Sequence, residues 1–231
     1  MGRTQELTER LRDLDSCAVS DALDALGLRG AVLGLRELWR SEGVVAGPVR
    51  TVRAGPRESD GPADHVGAAS IEAANAGEVL VIANDGRLDV SCFGGILARA
   101  ASRRELAGVV IDGACRDIGE SRALGFPVFG RAVLPVSARG RIVQQAEGVP
   151  IAVGEMVVRP GDLVIADENG VVFVPADRAG EVVELAERLV RREAEMAEAV
   201  ERGESVVAVM HDSRFPGADP DPEPAAERSS R

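Results

Sequence analysis

The chain has 231 residues, 45% of them hydrophobic, which is enough to bury a substantial core; with 3% aromatics and no Tyr, that core must be Val, Leu, Ile and Ala. The 38 acidic against 27 basic side chains give a formal charge of −11 and exclude a protein that coats a nucleic-acid backbone. No apolar run approaches membrane-spanning length, the N-terminus lacks a signal-peptide pattern, and three widely spaced cysteines form no disulfide framework, so a cytoplasmic location is expected.

In chain order, the apolar positions of residues 7–26 repeat at helical spacing and predict a helix capped at Ser20, with Ser16 as the other candidate, ending at Gly27 and Gly30. Residues 43–55 predict one strand, or two broken at Gly47-Pro48. A polar loop follows over 60–67, and helix resumes near His65 with Ala69, Ala73 and Ala76 on one side. VLVIAND (79–85) is a continuous apolar run that suits a strand buried on both faces. CFGGILARAASRRELAG (92–108) predicts a helix opened by Gly94-Gly95, with Leu97, Ala98 and Ala101 on one face. VVID (109–112) is a second buried strand, GACRDIGESRALG (113–125) a polar turn and short helix, and FPVFGRAVLPV (126–136) is extended.

This alternation predicts an α/β fold with parallel pairing in the centre. From Arg141 to Pro175, short strand candidates separated by PGD and ENG turns predict antiparallel or mixed sheet within the same domain. Residues 176–202 predict a helix whose stripe of Val183, Ala186, Val190, Ala194, Ala197 and Val200 is available to the parent sheet or to a subunit boundary. The domain is expected to span residues 1–211, with a disordered Pro- and charge-rich tail at 212–231.

Two clusters carry candidate chemistry. After the VVID strand come Arg116, Asp117 and Glu120, where an open α/β sheet collects ligands. Arg116 has the paired donors to grip a carboxylate, and Asp117 and Glu120 are hard oxygen ligands suited to Mg²⁺ or Mn²⁺. The alternative is structural: acidic side chains are favoured in a first helical turn by its unpaired amides. The second cluster is Gly94, Gly95, Ile96 and Leu97, whose backbone N–H groups offer a cradle for an anion, or simply a sharp turn. Asp85 and Asp89 are secondary metal candidates, and His65 lies near enough to reach a pocket. Cys92, Cys115 and Trp39 read as packing, and Asp162 and Asp167 to Asn169 as turn chemistry.

These residues also carry a resemblance. From VSDALDALG at Val19 through the helix after Pro175, the sequence resembles the superfamily of 4-hydroxy-4-methyl-2-oxoglutarate aldolases, 4-carboxy-4-hydroxy-2-oxoadipate aldolases and the regulator of ribonuclease activity A. The segments 93–131 and 158–175 carry it most strongly. The aldolase branch is marked by a glycine, twenty intervening residues, Arg-Asp, two residues, and an acidic side chain; here these are Gly95, Arg116, Asp117 and Glu120.

The resemblance implies a single-domain layered α-β-β-α sandwich of the swivelling β/β/α type, with mixed sheets. It implies a divalent-metal-dependent, class II-type pyruvate aldolase that cleaves 4-hydroxy-4-methyl-2-oxoglutarate or a related 4-hydroxy-2-oxo acid, with oxaloacetate decarboxylase activity. Arg116 and Asp117 would be the catalytic pair, with Asp117 holding Mg²⁺ or Mn²⁺. Gly94, Gly95, Ile96, Leu97 and Arg116 would bind substrate, and Glu120 would support the site. Several aldolases carry an acidic residue at the place of Gly95, and Asp85 or Asp89 is the expected compensation. A homotrimer or homohexamer is implied, with no nucleic-acid or membrane partner. The other readings are a non-enzymatic ribonuclease regulator and a lyase of this fold acting on a different acid.

Overall fold

The computed structural model describes residues 2–39, 41, 43–57 and 64–211. Residues 60–63 of the expected loop, and the expected tail at 212–231, lie outside the described residues.

The first apolar pattern folds as two helices, α1 (Arg3–Arg12) and α2 (Ser16–Ala25). Helical spacing runs on through the break, but Asp15 is extended and its carboxylate accepts from the Ala18 N–H at 2.8 Å, capping α2. Ser16 and Ser20 therefore lie inside α2, and neither is the cap.

After the short β1 (Arg36–Glu37) comes β2 (Val45–Pro56), which Gly47-Pro48 does not break. That pair is where the strand changes partners. Residues 45–48 pair antiparallel with β9 (Leu163–Asp167), and residues 49–53 pair parallel with β3 (Val79–Phe93). A Cβ at Gly47 would stand 2.2 Å from the Gly77 carbonyl oxygen, so the crossing requires glycine.

Helix α3 (Ala68–Glu72) buries Ser70 and Ile71, while Ala69, Ala73 and Ala76 are exposed. Ile71 offers far more apolar area than an alanine methyl, so it decides the inward side. Strand β3 continues well past VLVIAND. Asp85 (φ 52°) and Gly86 (φ 66°) turn it outward through the left-handed region, and it rejoins its neighbour at Phe93. Helix α4 (Gly95–Arg103) follows at once.

Next come β4 (Gly108–Cys115), buried at every position, α5 (Ile118–Ala123) and β5 (Val128–Val133). The remainder is β6 (Ile142–Glu147), β7 (Ile151–Val153), β8 (Met156–Val158), β9, β10 (Gly170–Val174), α6 (Ala179–Glu201) and α7 (Val206–Val209).

The main sheet runs β1-β5-β4-β3-β2-β9-β10, with β6 beside β2 and β7–β8 as a separate hairpin. The central strands β2, β3, β4 and β5 are parallel, and the flanking pairs are antiparallel. Three apolar clusters separate the layers. Leu11, Val19, Leu23, Val182 and Ala186 pack α1, α2 and α6 on the outer face of β9–β10. Val79, Val81, Val110 and Phe129 meet Val164, Ala166, Val171 and Phe173 in the middle. Leu80, Ile82, Val109 and Ile111 lie under Ile71, Leu97, Ala98 and Ala101 of α3 and α4. The order helix, sheet, sheet, helix is the mixed α/β layering expected from the sequence.

The α6 stripe holds only over its first half. Val183 and Ala186 are buried against α2, whereas Ala194, Ala197 and Val200 are exposed, and Met196 and Ala199 pack on Val209 of α7 instead. Among the described residues, no helix is long and apolar enough to cross a membrane.

Candidate active site

Parallel pairing of β3 with β4 decides where the two candidate clusters meet. Phe93 and Cys115 are partners at the ends of those strands, and the Arg116 N–H donates to the Phe93 carbonyl at 2.9 Å. The Gly94-Gly95 turn into α4 and the Arg116-Asp117 turn into α5 therefore lie side by side at the carboxyl edge of the sheet.

Asp117 sits just before α5 with φ 55°. Its Oδ2 accepts from the Gly95 N–H at 3.2 Å and from Arg116 Nε at 3.0 Å. The carboxylate is thereby held against the first turn of α4, and the Arg116 fork keeps its two terminal nitrogens for other partners. Because Gly95 donates to Asp117, the N–H groups of Ile96 and Leu97 are the ones left to an incoming anion. The Ile96 side chain points away, 85% exposed. A Cβ at Gly94 would come within 2.9 Å of Asp117 Oδ2, so this close approach uses the missing side chain.

Behind this contact, Glu120 Oε2 accepts from Arg99 Nε at 3.0 Å and joins α5 to α4. Both partners are half exposed, so the pair positions more than it stabilises.

Gly94, Gly95, Ile96, Leu97, Arg116 and Asp117 line one cleft of about 150 Å³. His65, Ser91, Ser137, Ala138 and Arg139 also line it. Glu120, Asp85 and Asp89 are not in that lining. Asp89 is engaged with Arg87, whose side-chain bonds at 2.9 and 2.7 Å hold its carboxyl below the usual range. Cys92 lines the cleft and Cys115 ends β4, but burial pushes both thiols up to about 12, which removes them as nucleophiles near neutral pH. The Trp39 indole donates to the Phe126 carbonyl at 3.1 Å, a packing role. Asp162 and Asp167 accept backbone N–H groups in their turns, and Asp167 also takes both the N–H and the hydroxyl of Ser16 at 2.7 Å.

Ser91, Ser137 and Arg139 were not singled out by sequence. They lie in stretches read as ordinary strand or connection, and only the return of the 134–141 segment across β3 brings them to the cleft. Ser91 makes that crossing, since both its N–H (3.0 Å) and its hydroxyl (2.6 Å) donate to the Val136 carbonyl.

Comparison with known proteins shows the family. The RraA-like family model, described as Aldolase/RraA, matches residues 16–173. The chain belongs to the RraA-like family. It is 36% identical over 178 residues to Protein DlpA of Legionella pneumophila, covering 77% of this chain but only 29% of that protein's length. It is 33% identical over 179 residues to a Halalkalibacterium halodurans protein provisionally named 4-hydroxy-4-methyl-2-oxoglutarate aldolase, covering 78% of this chain and 81% of the relative. Among solved structures, it superposes on the Streptomyces coelicolor RraAS2 protein, an unusual member of the RNase ES inhibitor RraA family. The TM-score is 0.74 at 32% identity, covering 86% of this chain and 96% of that one. The RraA-like match takes in both strand ends and both turns that build the cleft.

Proposed function

We propose that this protein is a divalent-metal-dependent lyase that forms pyruvate from small 2-oxo acids. The reactions are cleavage of 4-hydroxy-4-methyl-2-oxoglutarate or a related 4-hydroxy-2-oxo acid, and decarboxylation of oxaloacetate. The observation that carries this reading is the Arg116–Asp117 pair held against the Gly95 amide in an open cleft.

The donor set fits a hard cation. Among the described residues no group of three or more His, Cys, Asp or Glu side chains gathers into a closed metal cage. Asp117, however, uses only Oδ2 in its bonds to Gly95 and Arg116 and keeps Oδ1 available. One carboxylate, with water and substrate oxygens completing the shell, is how Mg²⁺ is commonly held. Asp117 would hold the ion, which when bound would supply Lewis-acid polarisation of the 2-oxo group.

The chain's own groups do the rest. The Ile96 and Leu97 amides take the substrate carboxylate at the start of α4. Arg116 directs its free terminal nitrogens to the oxygen at C2, where negative charge develops. In aldol cleavage, water in the cleft takes the proton of the C4 hydroxyl and the C3–C4 bond breaks. Its electron pair enters the enolate, and protonation at C3 gives pyruvate. In decarboxylation the same enolate forms as CO₂ leaves.

The test is pyruvate release by purified protein given oxaloacetate or 4-hydroxy-4-methyl-2-oxoglutarate, with Mg²⁺ or with chelator. Metal-dependent release above the uncatalysed background is expected. No release from either compound overturns the reading and favours a protein-binding regulator, a role that the likeness to the Streptomyces protein supports.

A further inference from the structure

We propose that Arg99 is a positioning residue: its bond to Glu120 fixes and neutralises that carboxylate over Gly95, and so sets how tightly a divalent cation is held at Asp117. This rests on the lyase reading above for the place of the cation. It deepens that reading by naming a residue outside the cleft that tunes it.

Two carboxylates lie against Gly95. Asp117 Oδ2 accepts from the Gly95 N–H at 3.2 Å. Glu120 stands over the same residue, since a Cβ there would lie 2.6 and 2.7 Å from the Glu120 carboxylate oxygens. The Glu120 N–H also donates to the Asp117 carbonyl at 2.9 Å, which fixes one backbone against the other. Like charges gathered around one residue repel, and here each has its own counter-ion. Arg116 Nε donates to Asp117 at 3.0 Å, and Arg99 Nε donates to Glu120 at 3.0 Å. The four side chains together carry no net charge.

The two pairs differ in where they stand. Arg116 and Asp117 line the cleft, whereas Arg99 and Glu120 are not in its lining. Arg99 lies four residues after Gly95 in α4, one turn along the same side, and meets Glu120 there. The Arg99 side chain is 61% exposed and that of Glu120 46%, so the pair adds little to stability. What it supplies is the placement of charge. Glu120 and Asp117 share Gly95 as a neighbour, so the charge of one acts on a cation held by the other. With Arg99 bonded to Glu120, most of that charge is cancelled. Without Arg99, an uncompensated carboxylate remains beside the cation site, and affinity for a divalent cation rises.

The experiment titrates Mn²⁺ into wild type, Arg99→Gln, Arg99→Lys, Glu120→Gln and the double variant of Arg99→Gln with Glu120→Gln. Free Mn²⁺ is read by electron paramagnetic resonance at low ionic strength, and binding that Asp117→Asn retains is subtracted. Arg99→Gln is expected to bind Mn²⁺ about threefold more tightly and Glu120→Gln about threefold more weakly, as for one unit charge acting across a solvent-screened site. The double variant returns near the wild-type value because both charges are gone, and Arg99→Lys because the cation is kept. In about 0.5 M salt the differences shrink. Melting temperatures should agree, as both side chains are well exposed.

A role confined to bracing α4 against α5 would weaken Mn²⁺ binding in both single variants alike. If Arg99→Gln binds Mn²⁺ as wild type does or more weakly, or if its gain survives in the double variant, the assignment is overturned, even where pyruvate release is metal-dependent. If the expected pattern appears but neither 2-oxo acid releases pyruvate, the lyase reading fails and the Arg99 assignment stands. If Asp117→Asn binds as much Mn²⁺ as wild type, the cation is held elsewhere and the assignment falls.

Discussion

Glu120 fills the space that a side chain at Gly95 would need: a Cβ there would lie 2.5 Å from Glu120 Cδ, and 2.6 and 2.7 Å from its carboxylate oxygens. A carboxylate therefore does stand over position 95, delivered from α5 rather than from the residue itself. Because the crowded atoms are the far end of a flexible side chain, Gly95→Ala turns Glu120 away from Arg99 at a cost below about 1 kcal/mol. Gly95→Asp adds a second negative charge beside the first. It is expected to lose about 1–2 kcal/mol at low ionic strength, most of it recovered in about 1 M salt or by adding Glu120→Gln. Urea denaturation at two salt concentrations measures this, and a Gly95→Asp protein as stable as wild type in low salt contradicts the crowding.

Asp117 separates folding from chemistry, because its backbone is left-handed (φ 55°) while its carboxylate makes the site's central contacts. Asparagine visits that region readily and can still accept from the Gly95 N–H, whereas alanine pays about 1–2 kcal/mol to adopt it. Asp117→Asn is therefore expected to melt with wild type, and Asp117→Ala several degrees lower. On the lyase reading, both should lose metal-dependent pyruvate release by at least about 100-fold, as for removal of an essential electrostatic group. Melting curves and pyruvate assays on the same preparations check both halves, and an Asp117→Asn protein with full turnover removes Asp117 from the reaction.

The sequence alone places Gly94, Gly95, Arg116 and Asp117 in candidate clusters because glycine pairs and charged residues after buried strands are local signals. Why those clusters share one cleft is not local: it depends on parallel β3–β4 pairing that puts Phe93 beside Cys115. Arg139 has no local signal at all, since its position comes from Ser91 holding a later segment across β3. The cap inside residues 7–26 falls on Asp15 rather than on Ser16 or Ser20, because all three are capping types and only the bond from the Ala18 N–H selects one. The alanines of α3 misled because a methyl group is too small to choose a face against Ile71. The outward turn of β3 at Asp85 and Gly86 likewise leaves no mark in the hydrophobic pattern.

The cysteines give a prediction about pH. Burial pushes Cys92 and Cys115 up to about 12, whereas Cys17 is exposed and its thiol is raised above the ordinary value first by partial burial and then by nearby Asp15. In the unfolded chain all three ionise near the ordinary value of 9.0. Above that pH the unfolded state has released protons that the folded state still holds, so stability is complete below 9 and falls as pH rises toward about 12. Alkylation at pH 8 followed by mass spectrometry should find one adduct, on Cys17, in the native protein and adducts on Cys92 and Cys115 only after denaturation. Rapid native labelling of Cys92 or Cys115 contradicts their burial.

Stability away from the cleft rests in part on one buried ion pair. Asp112, 3% exposed at the end of the VVID run, accepts from Arg131 Nε at 2.5 Å and from the Gly154 N–H at 2.8 Å. Arg131 Nη1 also donates to the Leu33 carbonyl at 3.1 Å, so the pair ties β4 and β5 to the β7–β8 turn and to the segment before β1. Removing only the cation leaves a buried carboxylate with one amide donor, and Arg131→Met is expected to cost about 3 kcal/mol, the lower end for a broken buried pair because the arginine is partly exposed. Asp112→Asn keeps an acceptor for Gly154 and loses only the ionic part, about 1–2 kcal/mol. Replacing both, as Asp112→Leu with Arg131→Met, should cost less than Arg131→Met alone, because no stranded charge remains even though the Gly154 amide loses its acceptor. Denaturant midpoints at an unchanged m-value rank the three, and a double variant less stable than Arg131→Met would mean that the Gly154 contact, not the charge pair, holds this corner together.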